Sequence, residues 1–257
     1  MKPSLACASI SVAPDLSLYH VGPSLDHGPL PSIFYFALSG PDTLCVDPYN
    51  QPVQFLSDRM VRFFSLTLPA HENNLPPQQA IGTWAEEMGR GIDRLSPFLD
   101  AVQQCIEFAI HERFVDPHHL GVAGLSRGAL IASHVAARDK RIRFILQFAP
   151  LTTLSTSKEF CSLTDDPLVR SFDAIHTAPF IYDRHTRLYI GNHDTLVSTR
   201  SCFNFCTTLV EEARKAQIST PQIEMIISPS IGHKGHGTPP EIFQQGIQWL
   251  GSSLNRG

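Results

Sequence analysis

The 257-residue chain carries no run of five or six like charges and no apolar run near the roughly 18 residues that a membrane span needs. Charge of either sign is scarce. Charged residues make up 17% of the chain, and 20 Lys and Arg stand against 24 Asp and Glu for a net charge of -4. That balance supplies no basic face for a nucleic-acid partner. The leading stretch MKPSLACASISVAPDL has one Lys before a weakly apolar segment interrupted by Pro3 and Ser4, whereas a signal peptide wants a firmer apolar region. The chain therefore reads as soluble and cytoplasmic. Cysteine is sparse too. Cys7, Cys45, Cys105, Cys161, Cys202 and Cys206 are scattered through a chain too large to need staples. Cys202 and Cys206 are spaced for one helix face, but no second Cys or His pair matches them. They read as buried thiols rather than metal ligands. No repeat and no low-complexity tract appears.

What is present is 42% hydrophobic content, enough for a sizeable core within a single domain over 1–257. Strand-like runs recur at 33–39 (IFYFALS), 61–68 (VRFFSLTL), 120–125 (LGVAGL), 142–149 (IRFILQFA), 187–190 (RLYI) and 223–228 (IEMIIS). Most are apolar throughout, as strands covered on both faces are. Helical spacing falls between them. Phe98, Leu99, Val102, Cys105, Ile106 and Ala109 repeat at three and four, with Ser96 as the expected N-cap before Pro97. Further helices are expected after Arg127, from about 199 to 216, and after a Thr238-Pro239-Pro240-Glu241 capping pattern. Alternation of this kind predicts an α/β fold, a mostly parallel central sheet with helices on both faces. The Thr-, Ser- and Asp-rich stretch 151–182 breaks the rhythm and reads either as a small lid insertion or as an ordinary crossover.

Gly124-Leu125-Ser126-Arg127-Gly128 follows the buried run LGVAGL and opens a helix-compatible run. A serine held on so sharp a strand-to-helix turn needs small neighbours, because side chains there would strike adjacent backbone. Its hydroxyl is a poor nucleophile until a base takes the proton, so a His oriented by an acid is required, in the chain order Ser, acid, His. Asp194 follows RLYI in the polar loop Gly191-Asn192-His193-Asp194, where that acid belongs. Two histidines follow IEMIIS, His233 and His236, and His233 is the expected base because it lies closer to the strand end. His236 is expected to line the pocket or be exposed. His71, in the loop 69–80, is a further candidate pocket residue. The Arg127 side chain reads as a surface salt-bridge partner, with contact to an acidic substrate group as its other use.

On Gly124–Gly128, Gly191–Asp194 and Ser228–His233 the sequence resembles the α/β-hydrolases, within them the dienelactone hydrolase and prolyl oligopeptidase-like branch, over roughly residues 30–252. The resemblance implies an eight-stranded sheet or a trimmed version of it. It also implies a Ser126-His233-Asp194 triad hydrolysing a small ester, thioester or peptide through an acyl-enzyme, with no metal or organic cofactor. Peptidases of that branch commonly carry a large extra domain, which makes an esterase the default. One departure stands out. Where such proteins carry His-Gly after the strand that supplies the second oxyanion donor, this chain reads Leu38-Ser39-Gly40-Pro41-Asp42, and Pro41 has no N–H. The expected donors are the Arg127 N–H and that of Asp42 or Thr43. Loss of one donor costs about 2.7–4 kcal/mol, so a weakened or inactive hydrolase fold serving as a binding protein is the competing reading, and an acyltransferase or small peptidase a third.

Overall fold

A computed structural model describes residues 6–72 and 75–254. Residues 1–5, part of the stretch weighed as a signal peptide, and 73–74, within the 69–80 loop, lie outside the described residues. Eight strands form one sheet: β1 (Ala8–Ala13), β2 (Leu16–Val21), β3 (Leu30–Phe36), β4 (Arg62–Ser65), β5 (Val115–Leu125), β6 (Ile142–Phe148), β7 (His185–Gly191) and β8 (Ile223–Ser228), in the order β1-β2-β4-β3-β5-β6-β7-β8. From β4 to β8 every neighbouring pair is parallel. β1 and β2 form an antiparallel hairpin on the edge beside β4.

The apolar runs are explained by two-sided burial. In β3, Phe34 and Phe36 enter one core while Ile33 and Tyr35 enter the other. The larger core is closed by α3 (Ala80–Gly89), α4 (Leu95–His111), α5 (Arg127–Arg138) and α8 (Thr199–Lys215). The smaller one is closed by α1 (Gly40–Cys45), α2 (Gln51–Gln54) and α9 (Pro240–Leu254). The stretch 151–182 contains α6 (Pro167–Ser171), α7 (Ala178–Ile181) and three 3-10 turns. It buries Leu154, Phe160, Val169, Phe172 and Ile181 in the larger core.

The edge hairpin lies outside the expected strands, because β1 is half exposed and studded with Ser9 and Ser11, so it forms no apolar run. Two local expectations also change. The cap of α4 is not Ser96: Asp93 Oδ1 accepts from both the Leu95 and Ser96 N–H groups at 2.9 Å, a carboxylate being the better partner for a helix N-terminus. The expected strand 61–68 contains a fully buried Arg62. Its guanidinium donates to the carbonyls of Pro23 (3.1 Å), Gly28 (2.7 Å), Ser24 and Phe114, tying two loops to the start of β4. Among the described residues no helix is long and apolar enough to cross a membrane, no disulfide forms, and no cluster of His, Cys, Asp or Glu is arranged to hold a metal ion.

Candidate active site

Three loops at the carboxyl edge of the sheet meet at Ser126. This residue joins β5 to α5 with φ 56° and ψ -119°, a strained conformation for a residue with a side chain. Neighbouring backbone holds it there. The Ser126 N–H donates to Phe148 O at the end of β6 (2.9 Å), and Ser126 O accepts from Ala129 N (3.0 Å) and Leu151 N (3.1 Å). The flanking glycines are steric necessities. A Cβ on Gly124 would collide with the backbone of Ala129, and one on Gly128 with the carbonyl of Phe36 at the end of β3.

Asp194 sits in the loop after β7, with its side chain fully buried. One carboxylate oxygen accepts from the N–H groups of Leu196 (2.9 Å) and Val197 (3.1 Å). The other accepts from His236 Nδ1 at 2.7 Å. Burial pushes this carboxyl up, but the His236 hydrogen bond and charge and the two backbone donors outweigh burial and hold it below its ordinary value. Asp194 is therefore an ionised acceptor with both oxygens engaged.

The imidazole beside Ser126 belongs to His236, not to His233. Ser126 Oγ–H donates to His236 Nε2 at 2.9 Å, while His236 Nδ1–H faces Asp194. His233 is exposed. The reason is a tight turn after β8. Gly232 (φ 72°), Lys234 (φ 53°) and Gly235 (φ 78°) all take positive φ, and Gly237 N closes back on Ile231 O at 2.8 Å. Thr195 N donates to Lys234 O at 2.9 Å, fastening this turn to the Asp194 loop. Residue 233 is thrown outward and residue 236 inward. Distance from the strand end misleads here. The Gly232-x-x-Gly235 spacing was the signal, because two glycines three apart permit a turn that reverses which histidine faces the sheet edge.

A pocket of about 290 Å³ opens at Ser126, lined by Leu38, Tyr49, Pro77, Arg127, His236 and Phe243 among others. A larger cleft of about 1040 Å³ adjoins it, shares Pro77, and is lined by His71, Asp42, Glu72 and Asp93.

No family model matches the sequence, and no curated protein matches it. Solved structures do. A candidate dienelactone hydrolase from Klebsiella pneumoniae subsp. pneumoniae MGH 78578 superposes with a TM-score of 0.70 at 15% identity, covering 99% of this chain and 100% of that one. The acylaminoacyl peptidase of Pyrococcus horikoshii gives 0.67 at 14% identity, covering 97% of this chain and 41% of that one. Prolyl oligopeptidase B from Galerina marginata gives 0.68 at 14%, covering 98% and 37%. The chain spans less than half the length of these two peptidases. It has the α/β-hydrolase fold.

In an α/β-hydrolase fold a nucleophile, an acid and a histidine come in that chain order on loops at one edge of the sheet. Ser126, Asp194 and His236 follow β5, β7 and β8 in the same chain order. The Arg127 N–H, at the first position of α5, has no acceptor within the helix and lies beside Ser126. Asp42 and Thr43 are not where the sequence expectation put them. Ser39 caps α1, so the Asp42 N–H is taken by Ser39 Oγ (3.2 Å) and the Thr43 N–H by Ser39 O (2.9 Å). Asp42 lines the large cleft instead. From this loop it is Ala37 and Leu38 that reach the Ser126 pocket, and the Leu38 N–H is held by Thr43 Oγ1 at 2.9 Å. The expected strand 33–39 hid them, because its last residues are already loop. His71 is buried, with Nδ1–H donating to Pro69 O at 3.1 Å.

Proposed function

We propose that the chain is a serine hydrolase acting on a small carboxylic ester or thioester through an acyl-enzyme. The observation that carries this is the unbroken hydrogen-bonded line from Ser126 Oγ through His236 to Asp194, mounted on a strained turn at a pocket. In this reading His236 Nε2 takes the Ser126 proton as Oγ attacks the substrate carbonyl. Asp194 keeps Nδ1 protonated and stabilises the imidazolium that forms. The Arg127 N–H and the positive end of α5 face the developing oxyanion. The tetrahedral intermediate collapses, the C–O or C–S bond breaks, and His236 gives its proton to the leaving alcohol or thiol. Water then repeats the steps on the acyl-enzyme and releases the acid.

One observation favours a slower or non-catalytic site. The loop after β3 offers no unengaged N–H at Asp42 or Thr43, and that of Leu38 already serves Thr43 Oγ1. An oxyanion hole that loses one donor supplies less stabilisation than a paired one.

Labelling of the purified chain with a fluorophosphonate tests the reading, beside Ser126→Ala and His236→Ala. Labelling that both substitutions abolish is the expected result, and turnover of a panel of esters and thioesters should follow. A folded wild-type protein that takes no label would overturn the hydrolase reading in favour of a binding protein.

A further inference from the structure

Among the described residues, the pocket at Ser126 is lined by one permanently charged residue, Arg127, and no carboxylate forms an ion pair with it. Arg127 follows the nucleophile in sequence and turns back under the Pro77 loop. Its Nη1 donates to Pro77 O at 2.6 Å and to His71 Nε2 at 3.3 Å. Both acceptors are neutral. His71 donates its Nδ1–H to Pro69 O, so Nε2 carries the lone pair that Arg127 uses. Burial, with the Arg127 charge adding to it, pushes the His71 imidazole below its ordinary range despite the Pro69 contact. The guanidinium is thus oriented without being neutralised.

No carboxylate among the described residues comes within ion-pair distance of it. Glu159 is felt only at longer range, with Lys158 beside it at 3.9 Å. The acidic side chains nearby, Asp42, Glu72 and Asp93, line the neighbouring cleft, and no Asp or Glu lines the pocket at Ser126. Taking a cation out of water without a partner is unfavourable, and burial pulls the Arg127 pKa down accordingly. Nη1 is spent on Pro77 and His71. The Nε and Nη2 edge makes no hydrogen bond among the described residues, and Arg127 is part of the pocket wall. Those two donors form the planar fork that receives a carboxylate side-on through two parallel hydrogen bonds.

We infer that Arg127 is a specificity-determining residue that binds a carboxylate of the substrate, so that the preferred substrates are short half-esters of dicarboxylic acids. This rests on the hydrolase reading for its chemistry, but the subsite can be tested apart from it. Arg127 plays two separate parts in the scheme: its backbone N–H faces the oxyanion, and its side chain holds the far end of the acyl group. A pocket of about 290 Å³ has room for a short chain between the two.

The test compares ethyl hydrogen adipate with the uncharged isostere ethyl 5-carbamoylpentanoate, using wild type, Arg127→Gln and Arg127→Lys. Both variants keep the backbone N–H. Wild type should prefer the acid in kcat/KM by roughly 10- to 100-fold, the range expected for hydrogen bonds to a charged partner. The preference should collapse toward unity in R127Q and return in part in R127K. In parallel, adipate itself should raise the thermal midpoint of wild type and not that of R127Q, a readout that needs no turnover. Fluorophosphonate labelling of Ser126 with no preference for the acid and no shift with adipate would overturn the carboxylate subsite while leaving the hydrolase reading standing. An adipate shift that R127Q loses, in a protein that neither labels nor turns over ester, would support the subsite and sink the hydrolase reading.

Discussion

At the scale of single residues, the two histidines after β8 separate the competing readings most cleanly. His236 touches both Ser126 and Asp194, while His233 is exposed three residues away. His236→Ala should lower kcat/KM on any ester by roughly 10³-fold or more, as loss of a triad base does. His233→Ala should change it by less than about threefold, as a surface substitution does. A steady-state comparison of the two variants decides the assignment, and the reverse order of effects would return the base to His233. Asp194 adds a pH signature. Its carboxyl is held below its ordinary value in the folded chain. The stability it contributes is therefore present above the unfolded value of about 3.9 and is lost as pH falls through the lower folded value. In urea unfolding, the stability gap between wild type and Asp194→Asn should be widest at neutral pH and narrow below about pH 4. The same variant should lose roughly 10⁴-fold in kcat, because the amide no longer fixes the tautomer. A gap independent of pH would show that Asp194 is not a buried carboxylate paired with His236.

At the scale of elements, the strands that frame the site were legible because they are buried on both faces and so apolar throughout. β3, β6 and the carboxyl halves of β5 and β7 lie under runs of that kind, while the polar starts of β5 and β7 fell outside them. The serine turn and the acid loop were legible for a related reason, since each follows directly where such a run stops. The hidden parts depend on backbone conformation that composition does not encode. Ser39 stands where the resemblance puts a His, yet its hydroxyl starts a helix and takes the one N–H expected from Asp42. Arg62, inside a strand-like run, anchors loops that lie 34 to 52 residues away in sequence, and no local pattern announces that. Its role gives a prediction at this scale. The guanidinium is fully buried and satisfied by carbonyls alone. Arg62→Ala leaves several buried acceptors without donors. It should cost roughly 3 kcal/mol or more and lower Tm by roughly 10 °C. Arg62→Lys supplies a point charge in place of a fork and should recover only part of it. Thermal melts of the three proteins measure this, and an unchanged Tm in R62A would mean that the loops are fixed without the guanidinium.

At the scale of the whole molecule, the site lies at the carboxyl edge of the sheet that separates the two cores. β5, β7 and β8 deliver its three polar residues to one edge of the sheet. The packed crossover 151–182 does not contribute to the wall of the pocket, which is drawn from the loops after β3, β5 and β8 and from Pro77, Gln78 and Phe243. The pocket, at about 290 Å³, sits at the small end of ligand sites, and the neighbouring cleft is more than three times larger. Pro77 borders both, and the contacts of Arg127 with Pro77 and His71 hold the partition between them. Acyl-chain length therefore reports on that partition. In an open apolar channel each added methylene gains about 0.8 kcal/mol, roughly fourfold in kcat/KM. In a closed pocket the gain stops when the space is full, and overpacking then costs. A series of p-nitrophenyl esters should climb from acetate to butyrate or hexanoate and fall by laurate. An unbroken climb to laurate would mean that the Pro77 loop yields and the two cavities act as one, and in that case the His71–Arg127 contact would not survive substrate binding.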